Sequence, residues 1–122
     1  MVVFIVIGRI LLGLAFLVFG IRNLKNVERL TGVLEKKHIP MAQTWIYVGI
    51  AIQILGGLAV ASGFPVIAAL GAAALIAFLY LAVFWFHDYW SYPVGERYPH
   101  ITAWIMNTAL AGGMLMVVGL SI

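Results

Sequence analysis

The stretch VIAALGAAALIAFLYLAVFWF, residues 66–86, decides the fold of this chain. It contains no charged residue and no proline. An α-helix needs roughly 20 apolar residues to cross about 30 Å of hydrocarbon, and this run has that length. Three further runs approach it, at residues 2–21, 44–62 and 101–121. The sequence therefore predicts four membrane-spanning helices.

The composition of the whole chain agrees with this prediction. Of its 122 residues, 65% are hydrophobic and 9% are charged, and the mean hydropathy is +1.12. So few polar groups cannot cover a water-facing surface, which excludes a soluble domain. The runs lack the alternation of barrel strands, so helices have to satisfy the backbone. The predicted fold is all-α: one transmembrane domain over residues 1–122, with four helices in a bundle.

Two features of the chain limit its chemistry and processing. The first run has no basic segment before it and no Ala-x-Ala site after it, so we interpret it as a retained span and not as a signal peptide. The chain has no cysteine. Disulfides, thiol relays and thiolate metal sites are thereby excluded.

The charges are distributed unequally between the two sides of the predicted bundle. The basic residues between the first two spans are Arg22, Lys25, Arg29, Lys36 and Lys37. Arg97 lies between the last two spans, on the same side, and only Arg9 opposes this asymmetry. The positive-inside rule then predicts both polar loops in the cytoplasm and both termini outside.

The first polar loop has the pattern of an amphipathic helix. Its apolar stripe recurs at helical spacing and comprises Leu24, Val27, Leu30, Thr31 and Leu34. We expect this short helix in the membrane interface, where the five basic residues of the loop would bind anionic lipid. A surface that docks a protein partner is the alternative.

Small residues spaced four apart are typical of close helix packing in membranes. Such residues are Gly57 with Ala61, Ala69 with Ala73 and Ala77, and Ala109 with Gly113. Further points of close approach are expected at Gly13, Gly49, Gly56, Gly71 and Gly112.

Three polar side chains are expected inside the spans. At 1.5 Å per residue, Arg9 lies about 10 Å below the outer surface, Gln53 about 13 Å above the inner one and Asn107 about 9 Å above it. These depths would let Arg9 reach Gln53 if their helices are neighbours. Because an arginine facing lipid is costly, an inward, functional Arg9 is one interpretation. Snorkelling to the surface and a purely structural hydrogen bond are the alternatives.

Residues 86–100, FHDYWSYPVGERYPH, interrupt the apolar sequence once. Pro93 and Pro99 should block a continuous helix, which predicts a hairpin between the last two spans. Its rings could form an aromatic belt at the headgroups. They could also frame a quinone-headgroup site, in which His87 donates to a carbonyl, Asp88 handles a proton and Trp90 is one of the lining rings. With Arg9, Gln53 and Asn107, these residues make the candidate ligand site.

Other cofactors are not expected from the histidines. A haem between His87 and His100 is disfavoured because both are expected at loop boundaries and not facing each other across a bundle core. No metal site is expected, because the three histidines are scattered without a carboxylate cluster.

Several segments, taken in order, resemble the DoxX family of small bacterial and archaeal membrane proteins. They are GRILLGLAFLVFGIRNLKN (8–26), HIP (38–40), IQILGGLAVASG (52–63), FHDYW (86–90) and NTALAGGMLMVVG (107–119). The resemblance implies a four-helix protein of the bacterial or archaeal cytoplasmic membrane, in a family linked to quinol oxidase and thiosulfate:quinone oxidoreductase systems. Many members carry a glutamate where this chain has Gln53, and an amide does not titrate.

The function expected first is that of an accessory subunit of a quinone-linked redox or respiratory assembly, without catalysis of its own. The chain has too little mass outside the membrane for a nucleotide or flavin cofactor, so quinone is the one candidate cofactor. Its expected partners are the bilayer and other membrane subunits or further copies of itself, and not nucleic acid. A stand-alone quinone-binding enzyme and a chaperone or scaffold for membrane proteins are the alternatives.

Overall fold

The computed structural model describes all residues from Met1 to Ile122. It has no strand, and its five helices are α1 (Val2–Leu24), α2 (Val27–Lys36), α3 (Ala42–Ser62), α4 (Pro65–Phe86) and α5 (Tyr98–Ser121). All except α2 are long and apolar enough to cross a membrane. The predicted all-α fold is confirmed, including the short helix between the first two spans.

The helix ends follow from local backbone preferences. Gly63 adopts a left-handed conformation with φ of 75° at the end of α3, which glycine does without steric cost. Pro65 then occupies the first turn of α4, where its missing N–H has no intrahelical partner to lose. A turn of two residues therefore suffices to reverse the chain between α3 and α4.

The start of α5 differs from the sequence prediction. Pro99 was expected to interrupt the helix, but α5 begins at Tyr98 and contains it. In the first turn of a helix a proline removes an N–H that would have no partner anyway. The helix therefore starts three residues before the predicted residue 101, and His100 lies in its first turn.

Helices α1 and α3 are antiparallel neighbours in very close contact. A Cβ placed on Gly13 would collide with the carbonyl oxygen of Gly57 and lie 2.8 Å from the Cβ of Ala61. A Cβ on Gly20 would lie 3.1 Å from the Cβ of Gln53. These contacts fix the register of the two helices, with residue 13 opposite residues 57–61 and residue 20 opposite 53.

The remaining helices extend the bundle in the order α1, α3, α4, α5, each packed on the next. Its core contains Phe16, Val60, Leu75 and Met114, all nearly inaccessible. Helix α2 packs against α3 through the fully buried Leu34. We call the end with α2 and the 87–97 hairpin the loop end, and the end with the Gly63–Phe64 turn and both termini the turn end.

The predicted alanine stripe on α4 is wrong by one residue. Ala68 and Ala72 are buried, whereas Ala73 and Ala77 are exposed, and Ala109 of α5 is exposed as well. Almost every residue of α4 is apolar, so its sequence has no polar face that would set the rotation of the helix.

The outer surface of the bundle is apolar along its length. Large hydrophobic side chains are exposed on every long helix, among them Leu11, Leu55, Leu70 and Leu115. Such a surface is stable in contact with lipid acyl chains and unfavourable in contact with water. The protein is therefore a multi-pass membrane protein in contact with lipid.

Candidate functional site

A cavity of about 540 Å³ lies at the loop end, bounded mainly by α2, α3 and α4. Fifteen of the 21 residues around it are hydrophobic, and its volume is in the range of pockets that hold one small organic molecule. The polar residues that line it are Asn23, Arg29, Gln53, His87 and Asn107, and Tyr92, one of the fifteen, adds a phenolic hydroxyl. The cavity thus combines an apolar wall with a few polar groups.

Two amide contacts make up the deep polar part of the cavity. Asn23 donates from Nδ2 to Oε1 of Gln53 at 2.9 Å, and Asn107 donates from Nδ2 to the carbonyl oxygen of Leu79 at 3.0 Å. Gln53 is only 4% exposed. Its Nε2 has no partner in the protein but is not fully enclosed, so it faces the cavity. The site therefore offers an amide N–H donor from Gln53 and an unused amide oxygen from Asn107.

The cavity also reaches the lipid-facing surface of the bundle. Val48 of α3 and Leu81 of α4 both line it, and these residues are 42% and 41% exposed. An amphiphilic ligand could therefore enter sideways between these two helices, with its tail left in the bilayer.

Arg9 is not part of this cavity, and the expected contact with Gln53 is absent. Its guanidinium lies at the turn end, where a Cβ on Gly63 would be 2.9 Å from Nη2. Gly63 and Gln53 are ten residues apart on α3, about 15 Å along the helix axis. The depth estimate failed because it set Val2 level with Ser62, whereas the register of α1 on α3 places Arg9 beside Gly63.

His87 and His100 both lie at loop boundaries, as expected, and the structure brings their rings into contact there, which the sequence did not predict. Their Nδ1 atoms are 3.0 Å apart. The ring of Tyr92 stacks on His100 with centroids 4.0 Å apart, and Trp104 donates from Nε1 to the carbonyl oxygen of His87 at 2.7 Å. One Nδ1 has to donate and the other accept, so a single proton lies between the two rings. The early start of α5 makes this pairing possible.

Asp88 is held by a lysine that was expected to contact lipid. Lys37 forms an ion pair with Asp88 at 2.6 Å and also donates to the carbonyl oxygen of Trp85 in the last turn of α4. Lys37 therefore ties the loop after α2 to the end of α4, and its contact with lipid stays a prediction. The carboxylate of Asp88 is engaged in this contact and does not line the cavity.

Trp90 lies outside the cavity, and so do the remaining basic residues of the first polar loop, except Arg29. Trp90 packs against Phe84, Tyr89 and Trp104 with centroids 5.3 to 6.2 Å apart, in an aromatic cluster on the outer side of the hairpin. Arg22, Lys25, Arg29 and Lys36 are exposed at the loop end, and lipid binding by them stays a prediction.

Of the predicted ligand site, the structure brings together Gln53, His87 and Asn107, and it adds Asn23 and Tyr92. Asn23 could have been recognised as an amide in the last turn of the first span. Its proximity to Gln53 depends on the register of α1 against α3.

Comparisons with known proteins place the chain in one family. Residues 4–88 match the family model described as DoxX. This match covers more than half of the chain and includes Asn23, Gln53 and His87, while Asn107 and His100 lie beyond it. No curated protein and no solved structure matches the chain significantly.

Proposed function

Since the chain belongs to the DoxX family, we propose that it is an accessory subunit of a quinone-linked redox assembly in the membrane. In this proposal the loop-end cavity holds the headgroup of a quinone or quinol. The observation that carries the proposal is the cavity itself, which presents uncharged amide groups inside an apolar wall that is open to the bilayer.

The polar groups of the cavity fit both redox forms of such a headgroup. A quinone carbonyl accepts hydrogen bonds, and the free N–H of Gln53 is a donor. A quinol hydroxyl donates, and the free oxygen of Asn107 is an acceptor. His87 suits either form: when its Nδ1 accepts from His100, its other ring nitrogen carries a proton and donates, and in the other tautomer that nitrogen accepts.

The small extramembrane portion of the chain supports a subunit rather than a complete redox enzyme. Outside the four long helices lie α2, a two-residue turn and the short hairpin at residues 87–97. These segments are too small to enclose a nucleotide or flavin. Electrons for a bound quinone would therefore come from, or go to, a partner protein.

The experiment is a titration of the purified protein in mild detergent with a short-tailed benzoquinone. Trp45 and Trp85 line the cavity, so their fluorescence should be quenched with saturation at one quinone per chain. Gln53→Leu should weaken the affinity about five- to tenfold, which is the effect of one lost hydrogen bond. Gln43→Leu is the matched control, because this exposed glutamine of α3 lies outside the cavity.

Two outcomes would contradict the proposal: no saturable quenching, or equal affinities for both variants. Cross-linking and mass spectrometry of native membranes would identify the partner. A redox protein supports the subunit role. Quinone binding without such a partner would favour a stand-alone enzyme, and a set of unrelated membrane proteins would favour a chaperone or scaffold.

A further inference from the structure

The guanidinium of Arg9 lies against the bare backbone of the turn between α3 and α4. A Cβ on Gly63 would be 2.9 Å from Nη2, 3.3 Å from Cζ and 3.5 Å from Nη1 of Arg9. Gly63 thus leaves room for the guanidinium, in addition to adopting the left-handed conformation that the turn requires. The charge of Arg9 is thereby held at the turn end of the bundle.

This charge has no partner within the protein. The Nε of Arg9 is buried without a hydrogen-bond acceptor, and the only ion pair of the protein is Lys37 with Asp88. All four side-chain carboxylates belong to loop-end segments, at Glu28, Glu35, Asp88 and Glu96. A guanidinium at a membrane surface is strongly stabilised by an oxyanion, so its counter-ion has to come from outside the chain.

The turn end of the bundle, where Arg9 lies, suits a lipid better than a dissolved anion, because its exposed side chains are apolar. Phe4 of α1 is 78% exposed, Phe64 of the turn is 64% exposed and Ile67 of α4 is 53% exposed. In a bilayer these side chains contact acyl chains, so a phosphate bound by Arg9 would have apolar surface ready for its tails. Because no side-chain carboxylate lies at this end to offset Arg9, an anionic lipid fits better than a zwitterionic one.

We propose that Arg9 and the Gly63 turn form a binding site for the phosphodiester of an anionic phospholipid at the turn end of the bundle. The site is separate from the loop-end cavity and does not depend on quinone binding. The planar fork of Arg9 would bind two phosphate oxygens at once, which a lysine ammonium does not do.

The test uses phosphatidylglycerol with a photoreactive headgroup, in phosphatidylcholine vesicles that contain the full chain. Mass spectrometry then locates the cross-links. In the wild type we expect cross-links at the turn end, within residues 62–67. Arg9→Leu should reduce them about tenfold, since one charge-assisted bidentate contact is lost, and Arg9→Lys should reduce them less.

Arg22→Leu is the matched control, because Arg22 is an exposed arginine at the opposite end of the same helix. It should leave the turn-end cross-links unchanged and affect only those at the loop end. If Arg9→Leu does not insert, Arg9→Gln removes the charge while keeping a polar group.

Three results would overturn the proposal. The first is the wild-type yield of turn-end cross-links in the Arg9→Leu or Arg9→Gln variant. The second is an equal loss in Arg22→Leu, which would indicate general attraction of lipid. The third is loss of the turn-end cross-links in millimolar inorganic phosphate, which would assign the site to a dissolved anion.

Discussion

At the scale of the residue, a substitution that adds one methyl group can test the contact between α1 and α3. Gly13→Ala should lower the free energy of unfolding by about 1–3 kcal/mol, because its Cβ would collide with the carbonyl oxygen of Gly57. The measurement is the midpoint of SDS-induced unfolding in mixed micelles, followed by circular dichroism. Gly8→Ala on the same helix is the control, since nothing lies within 4 Å of a Cβ there. Equal midpoints for the two variants would contradict this packing.

Single residues also show how much of the candidate site the sequence can predict. Gln53, His87 and Asn107 stand out because a polar residue in or beside a predicted span is unusual. Which of them meet is a different question, because hydropathy gives the depth of a residue only to within a few helical turns. The displacement of Arg9 from Gln53 and the proximity of Asn23 to Gln53 both result from the register of α1 on α3. That register depends on which glycines of the two helices face each other. It cannot be predicted from one sequence in which both helices are apolar.

At the scale of the element, Lys37 is predicted to hold the α2 segment against α4. Lys37→Met removes both its ion pair with Asp88 and its hydrogen bond to Trp85. We expect residues 27–39 to exchange their amide hydrogens at least about threefold faster, because the segment would open locally more often. Lys36→Met is the control, since Lys36 is exposed and makes no side-chain contact of this kind. Unchanged exchange in Lys37→Met would show that the apolar contacts of Leu34 suffice.

The connection between α4 and α5 should depend on pH. The Nδ1 atoms of His87 and His100 share one proton, so protonation of both rings replaces a hydrogen bond with repulsion. Lys37 and Asp88 beside His87 are already paired, and Tyr92 stacks on His100 without an opposite charge. Burial, and then the nearby charges of His100 and Lys37, lower the pKa of His87 from its ordinary value. The contact should therefore persist at neutral pH and be lost only at acidic pH, below the usual range of an imidazole.

Hydrogen exchange of residues 87–100 measures this effect, after correction for the intrinsic dependence of exchange on pH. Exchange should accelerate between pH 7.5 and pH 5 in the wild type and in His38→Gln, which changes an exposed histidine elsewhere. In His100→Gln the acceleration should disappear, because only one ring titrates at the contact. An acceleration that persists in His100→Gln would contradict the role of the pair.

At the scale of the whole molecule, the four spans were predictable because length and hydropathy alone define a membrane helix. The ends of the helices were less predictable, because they depend on local backbone preferences. Pro99 was expected to stop a helix and instead lies in the first turn of one. The rotation of α4 about its own axis was not predictable. Because this helix is apolar on every side, its sequence does not show which face contacts the neighbouring helices. Which helices are neighbours in the bundle is known only from the structure.

The orientation of the whole bundle gives a further prediction. From the distribution of basic residues we predict the loop end in the cytoplasm and the turn end outside. Because the chain has no cysteine, cysteines introduced at Lys36 and Gly95 should react with an impermeant reagent only from the cytoplasmic side. A cysteine at Gly63 should react only from outside. The reverse pattern would invert the orientation without changing the number of spans.

The pairing of α1 with α3 has a consequence for synthesis at the ribosome. Gly13 has no partner until Gly57 has been translated, because α1 packs mainly on a helix that follows it by the whole of α2. During that interval the nascent α1 lies in the bilayer without α3. The surface around Gly13 and Gly20, which α3 later covers, is then accessible to other membrane helices. A chain of which only the first 41 residues have emerged from the ribosome should therefore cross-link from position 13 to the insertion machinery or to another membrane protein. A chain arrested well beyond residue 62 should cross-link from that position only to itself.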